Sequence, residues 1–193
     1  MRRFLFSPED VSESIVLLSS DESHHICRVL RLAAGNEIEL FDGKGNLFAG
    51  EILETGSNVS VRLISRQQST GPVTPVLWLY QADLKAKKMD FIIQKSTELG
   101  VDTFIPFTCS RSQGRSQESQ RRKKYDRWRK LIEGACKQSM RLTLMSVEEE
   151  SSFSEILRAS DPDMRPEAKL LLWEEEQNFS LLDVYWEQPG DGV

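Results

Sequence analysis

Three short stretches concentrate the residue types that could do chemistry. In KAKKMDFIIQKSTELG (85–100), Lys85, Lys87 and Lys88 stand where an apolar run gives way to a helical pattern. An ammonium group there would act together with the backbone N–H groups of the helix start, which also favour an anion; a solvated loop is the other reading. Lys95 and Glu98 lie at i, i+3, the spacing of an ordinary intrahelical ion pair. In RWRKLIEGACKQSMR (127–141), Gln138 and Arg141 lie one turn apart at the end of a basic, aromatic-interleaved helical pattern. In HHICRVLRL (24–32), Arg28 and Arg31 share one helix face beside His24, where both could reach one phosphate backbone or simply remain surface arginines.

The elements that would hold these residues fall into two groups. Residues 1–66 read as β-rich: apolar runs at 15–18, 37–41, 47–53 and 58–64 are separated by Gly- and Asn-containing turns. Alternation at Ile38, Leu40 and at Val59, Val61, Leu63 fits half-buried strands, and Asp42-Gly43 predicts a hairpin turn. A small β-barrel is the natural closure, with one short helix carrying Ile26, Val29 and Leu30 inward behind a Ser/Asp cap. The polar stretch 67–75, with Gly71 and two prolines, reads as a linker.

From residue 74 to 193 strands alternate with helices. VLWLYQA (76–82) reads as a buried strand, Met89 to Leu99 as a helix with Met89, Ile92, Ile93 and Leu99 inward and stopped by Gly100, and FIPFT (104–108) as the next strand. A long helix is predicted over Arg121 to Arg141, with Tyr125, Trp128, Ile132, Ala135 and Ser139 on one stripe; Trp128 reads as core rather than as a base-stacking platform. A third strand over Leu142 to Val147, a short helix over Phe153 to Ala159 and an apolar strand LLLW (170–173) complete the pattern. Such alternation implies a parallel sheet covered on both faces, with ligands at the carboxyl ends of its strands. The loops to watch are therefore Ala82 to Lys88, Cys109 to Arg115 and Trp173 to Glu176.

Composition excludes several classes. No apolar run approaches the length of a membrane span, and MRRFLFSPED turns polar too soon for a secretory signal, so a cytoplasmic protein is expected. Cys27, Cys109 and Cys136 form no C-x-x-C pair, which speaks against a disulfide framework and a zinc site; with only His24 and His25 available, no metal is expected. The net charge of −5 hides a division: residues 73–147 carry 15 Lys and Arg against 7 Asp and Glu, while residues 148–193 carry 3 against 13. A basic centre in an acidic chain suggests a local patch for a polyanion, or a face that neutralises the acidic end within the fold.

In order along the chain, MRRF, HHICRVLRL, FDGKG, KKMDFIIQKSTELGV and RWRKLIEGACKQSMR closely resemble the RsmE family, the bacterial 16S ribosomal RNA (uracil-N3) methyltransferases. The resemblance implies an α+β two-domain protein: a PUA-like RNA-binding β-barrel over 1–70 and a SPOUT methyltransferase domain of trefoil-knot type over 74–193. It implies S-adenosyl-L-methionine as methyl donor, 16S rRNA of the small ribosomal subunit as partner, and a homodimer. Carried over residue by residue, Arg141 would stabilise charge on the base or a phosphate, Gln138 would orient, and Glu98 is a weaker catalytic candidate. Arg2, Arg3, His24, Arg28, Arg31, Lys85 and Lys88 would face RNA, and Leu172, Trp173 and Glu174 would line the first cofactor loop.

The family's K-G-D is Lys85-Ala86-Lys87-Lys88 here, and the proline usual after its Q-S-x-R is absent. Its G-P-E-G-G and L-G-x-R-I-L-R-x-E-T-A segments do not occur in the 193 residues, so weak or no donor binding is expected of this chain. Three readings follow: a uridine methyltransferase, an RNA-binding module without the cofactor site, or an α/β dimerisation protein with no RNA affinity.

Overall fold

The computed structural model describes residues 3–68, 75–109, 118–158, 170–172 and 175–177. Residues up to Ile156 form one compact unit, and Leu157 to Val193 form a second.

The first unit begins with the β-rich half. Strands β1 (Arg3–Leu5), β2 (Val11–Ser12), β3 (Ile15–Leu17), β4 (Glu37–Phe41), β5 (Asn46–Glu54) and β6 (Ser60–Gln68) form a mixed sheet in the order β1-β4-β5-β6-β3-β2. Only the β1–β4 pair is parallel. The predicted alternation holds: Phe4, Val16, Ile38, Leu40, Ile52, Val59 and Val61 all turn into one core. Helix α1 (Ser20–His24) is capped by Ser19, whose hydroxyl accepts the N–H of Glu22, and runs directly into a π-helical segment, His25–Leu30. The buried Ser23 hydroxyl donates to the Leu18 carbonyl and accepts the Val59 N–H at 2.8 Å, which pins this helix to the sheet. The wider π turn keeps Ile26 inside but leaves Val29 62 % exposed, against the inward placement that ordinary helical spacing predicts.

In the α/β half, β7 (Trp78–Ala82), α2 (Ala86–Glu98), β8 (Thr103–Thr108), α3 (Glu118–Ser139), β9 (Ser146–Val147), β10 (Ser151–Ser152) and α4 (Phe153–Arg158) follow in order. Every strand pair here is parallel, with β8 between β7 on one side and β9 and β10 on the other. Met89 and Ile93 of α2, Phe104 of β8, and Trp128, Ile132 and Cys136 of α3 share one core, so Trp128 is core as expected. No described helix is long and apolar enough to cross a membrane.

Three expectations are corrected. The run 76–82 is not buried on both faces: Leu79 packs against the core, but Trp78 and Tyr80 are 38 % and 44 % exposed, because β7 is an edge strand of the described sheet. Leu99 is 80 % exposed, since the chain reverses at Gly100 and Val101 fills the core position instead. The strand expected at 170–173 is not formed over 170–172, whose leucines are exposed and belong to the second unit.

The two halves of the first unit are interlocked through FDGKG. Phe41 of β4 lies in the α/β core, the Gly43 carbonyl accepts the Leu144 N–H at 2.9 Å, and the Gly45 N–H donates to the Leu142 carbonyl at 3.1 Å. Leu142 to Leu144, expected as the start of a strand, is thereby diverted onto this turn, and β9 begins only at Ser146. Gly43 is required twice over: its φ is +72°, and a Cβ there would sit 2.9 Å from the Leu144 side chain.

Candidate functional site

Helix α2 is the element around which the predicted residues gather. Its C-terminus turns at Gly100, φ +93°, with the N–H groups of Gly100 and Val101 bonded to the carbonyls of Thr97 and Ser96. Arg141 adds donors to the carbonyls of this turn. After α3 the chain turns at Met140, φ +63°, and brings the Arg141 guanidinium under α2. Nη1 donates to the Thr97 carbonyl at 3.2 Å and the Val101 carbonyl at 2.6 Å, Nε to Thr143 Oγ1 at 3.2 Å, and Nη2 meets Asp102 Oδ1 at 3.4 Å. Asp102 in turn accepts the Leu77 N–H through its other oxygen at 2.9 Å, tying the entry of β7 into the same cluster. The Arg141 side chain is 11 % exposed, so its charge is turned to the negative end of α2 rather than outward to a base.

Gln138 is exposed near the end of α3 and makes no side-chain hydrogen bond among the described residues. Glu98 is committed locally. It accepts from Lys95 Nζ at 2.6 Å and Gln94 Nε2 at 2.9 Å, and these bonds, the lysine's first, hold its carboxyl below the usual range. The i, i+3 pair read from the spacing is therefore present.

The cations separate into paired and unpaired sets. Lys124 of α3 is 16 % exposed, bonded to Asp83 at 2.8 Å, 3.5 Å from Glu150 and 4.8 Å from the centre of the Trp128 ring. Arg127 meets Asp90 at 3.0 Å. These contacts fix α3 against the 83–90 segment; Arg122 and Lys123 of α3 and Lys85, Lys87 and Lys88 are the cations left over. All five are exposed, with no ion pair among the described residues. The RRKK run reads from the sequence as part of one basic face; what sequence lacked was which of its cations, Lys124 and Arg127, are taken up by Asp83 and Asp90. Lys85 is the N-cap of α2, and Lys87 and Lys88 lie in its first turn rather than in the expected loop, directly after β7 at the carboxyl end of the parallel sheet.

In the β-rich half, Arg3 is not free for RNA. Its Nε bonds Glu39 and its Nη1 donates to the Met140 carbonyl, both at 2.8 Å, linking β1 to the turn before Arg141. His24 and Arg28 do come together, on the wall of an open depression of about 550 Å³ also lined by Ser20, Cys27, Thr55, Gly56 and Ser57. Arg31 closes the π segment in the left-handed region, φ +54°, and is exposed. Leu172 is 83 % exposed and belongs to the second unit. Arg2, Trp173 and Glu174 lie outside the described residues.

Comparison with known proteins agrees with this geometry. The family described as RNA methyltransferase domain matches residues 72–189, and that described as RNA methyltransferase PUA domain matches residues 18–64. The ribosomal RNA small subunit methyltransferase E of Mycobacterium bovis is 25 % identical over 177 residues, covering 92 % of this chain and 68 % of that protein. Its Bacillus subtilis counterpart is 30 % identical over 142 residues, covering 73 % and 56 %. A methyltransferase of Legionella pneumophila solved with bound SAM superposes with a TM-score of 0.75 at 27 % identity, covering 82 % of this chain and 66 % of that one. The methyltransferase E of Neisseria gonorrhoeae bound to S-adenosyl methionine gives 0.72 at 28 % identity, covering 86 % and 66 %. The chain thus spans roughly half to two thirds of the length of these relatives. With a PUA half, a parallel-sheet half and both family matches in this order, the chain belongs to the RNA methyltransferase family that includes the ribosomal RNA small subunit methyltransferase E proteins.

Proposed function

We propose that the chain serves S-adenosylmethionine-dependent methylation of N3 of a uridine in 16S ribosomal RNA. In this reading the PUA-like half, residues 1–70, and the basic loop grip RNA, and residues 74–193 belong to the methyltransferase half. The observation that carries it is the match of residues 72–189 to the RNA methyltransferase domain, on a parallel sheet whose β7 carboxyl end opens onto unpaired lysines. The small ribosomal subunit as partner, a second copy of the chain and a cytoplasmic setting belong to the same reading.

The chemistry sets the tasks. Uridine N3 must lose its proton for its lone pair to attack a sulfonium methyl, and the imide anion that develops needs positive or hydrogen-bonding neighbours. The base must also be held in line with the methyl group, which accounts for several kcal/mol of the barrier. Lys85, Lys87 and Lys88 hold phosphates beside the sheet, and Gln138, exposed one turn from the Arg141 clasp, orients the base. Arg141 acts through α2: by donating to the carbonyls of Thr97 and Val101 it fixes the helix whose first turn carries Lys87 and Lys88. Glu98, kept ionised by Lys95, steadies the same helix end.

The test is transfer of tritiated methyl from S-adenosylmethionine to small subunits lacking the modification, with digestion of the 16S RNA to nucleosides. Label in 3-methyluridine is the expected result; label in another nucleoside, or none with RNA still bound, overturns it.

A further inference from the structure

We propose that Arg3 is a positioning residue for methyl transfer: braced by Glu39, it holds Met140 in the left-handed turn that presents Gln138 and Arg141. The inference rests on the functional reading above and gives the β-rich half a part in transfer other than gripping RNA.

The turn after α3 carries the first observation. The Arg141 N–H donates to the Cys136 carbonyl at 3.0 Å, five residues back, so the helix closes in the pattern whose left-handed position is usually glycine. Here that position is Met140, φ +63°, where a Cβ makes the conformation costly. Contacts from outside the turn must therefore hold it. Burial of the thioether does not do so, because Met140 is 50 % exposed. Its carbonyl, however, accepts from Arg3 Nη1 at 2.8 Å, a charge-assisted bond made to the negative end of α3.

Arg3 is aimed before it arrives. Strands β1 and β4 run parallel with Arg3 opposite Glu39, and Glu39 Oε2 accepts from Arg3 Nε at 2.8 Å. The two side chains are 15 % and 21 % exposed, so a mostly buried carboxylate fixes the plane of the guanidinium and directs Nη1 to the turn. Two arginines thus bracket Met140: Arg3 closes the end of α3, and Arg141 the end of α2. Gln138 lies two residues before the turn and is exposed, so its direction depends on how α3 ends. A misplacement of about 1 Å at a substrate-orienting group can slow a reaction by roughly a hundredfold.

The experiment compares kcat and KM for methyl transfer to small subunits lacking the modification, at saturating S-adenosylmethionine. Two further readouts are hydrogen exchange of the Arg141 amide and the salt slope of anisotropy binding to a labelled oligouridylate. Arg3→Ala is expected to lower kcat about tenfold with KM and the salt slope unchanged. It should also speed exchange of the Arg141 amide about tenfold, while the amide of Ile93 in the core keeps its rate. Met140→Gly, which adopts the left-handed turn unaided, is expected to restore both in the Arg3→Ala background, a rescue that general loosening of β1 would not allow. Glu39→Ala leaves the guanidinium unbraced and should give the same split in weaker form; it decides the matter if Arg3→Ala does not fold. A raised KM with the salt slope lowered by about 0.7, one single-strand phosphate contact, makes Arg3 an RNA contact and overturns the inference while the functional reading stands. A loss of kcat that Met140→Gly leaves uncorrected makes Arg3 structural only, with the same consequence. No transfer by the wild-type chain overturns the functional reading and leaves the hold of Arg3 on the turn to the exchange rates; an Arg141 amide as slow in Arg3→Ala as in the wild type overturns the inference as well.

Discussion

Arg141 Nη1 lies 2.6 Å from the carbonyl oxygen of Val101, forty residues away in sequence, and the same guanidinium reaches Thr97, Asp102 and Thr143. One side chain thus closes the end of α2, the entry to β8 and the segment that interlocks with the β-rich half. Its loss should be felt as stability before it is felt as chemistry. Arg141→Ala removes donors from the part-buried Thr97 and Val101 carbonyls and the ion-pair partner of Asp102, and is expected to cost about 1–3 kcal/mol, read as a lower urea midpoint at unchanged m. Arg141→Lys should recover only part, because one ammonium cannot span the four acceptors. A midpoint equal to wild type would show that the clasp contributes nothing.

The interlock predicts a second effect. Gly43→Ala places a Cβ against the Leu144 side chain at a left-handed φ, and both features oppose it. A destabilisation of about 2 kcal/mol is expected, a fall in melting temperature of about 4–8 °C for a chain of this size. Gly35→Ala is the comparison: φ is +85° there but nothing lies within 4 Å, so only the backbone penalty should appear, roughly half the effect.

Glu98 carries a pH signature. Its folded carboxyl titrates below the ordinary 4.5 because Lys95 and Gln94 donate to the ionised form. The stabilisation is therefore complete above the unfolded value and is lost as pH falls through the lower folded value. The stability difference between wild type and Glu98→Gln should be constant from neutral pH down to about 5 and shrink below that. A difference that grows on acidification would mean the opposite shift.

Much of the scaffold was legible because it rests on local patterns. Period-two alternation at Ile38, Leu40 and at Val59, Val61 fixes which strand face is buried, Gly100 marks the end of α2, and Lys95–Glu98 is a spacing rule. The site was harder, because its partners are backbone atoms and distant side chains. Nothing in QSMRL says that Arg141 will find the carbonyls of Thr97 and Val101, or that Arg3 will reach the Met140 carbonyl. The π turn that exposes Val29 and the edge position that exposes Trp78 are also tertiary outcomes, invisible to a count of apolar spacing.

The lysine loop yields the last prediction. Lys85 and Lys88 are exposed and unpaired among the described residues, whereas Lys124, a few ångströms into the structure, is committed to Asp83 and Glu150. The two kinds of lysine should respond in opposite ways. Lys85→Ala with Lys88→Ala is expected to leave stability within about 0.5 kcal/mol and to lower the salt slope of RNA binding by about 1.4, two single-strand phosphate contacts. Lys124→Met removes a cation that bridges two half-buried carboxylates and is expected to cost about 3 kcal/mol of stability, part of it restored by adding Asp83→Asn. RNA binding by Lys124→Met, measured where the protein is still folded, should keep its salt slope, since that charge is neutralised within the fold. If instead the slope fell with Lys124 and held with Lys85 and Lys88, the cations that meet RNA would be the inner set, and the carboxyl end of β7 would lose its claim as the binding edge.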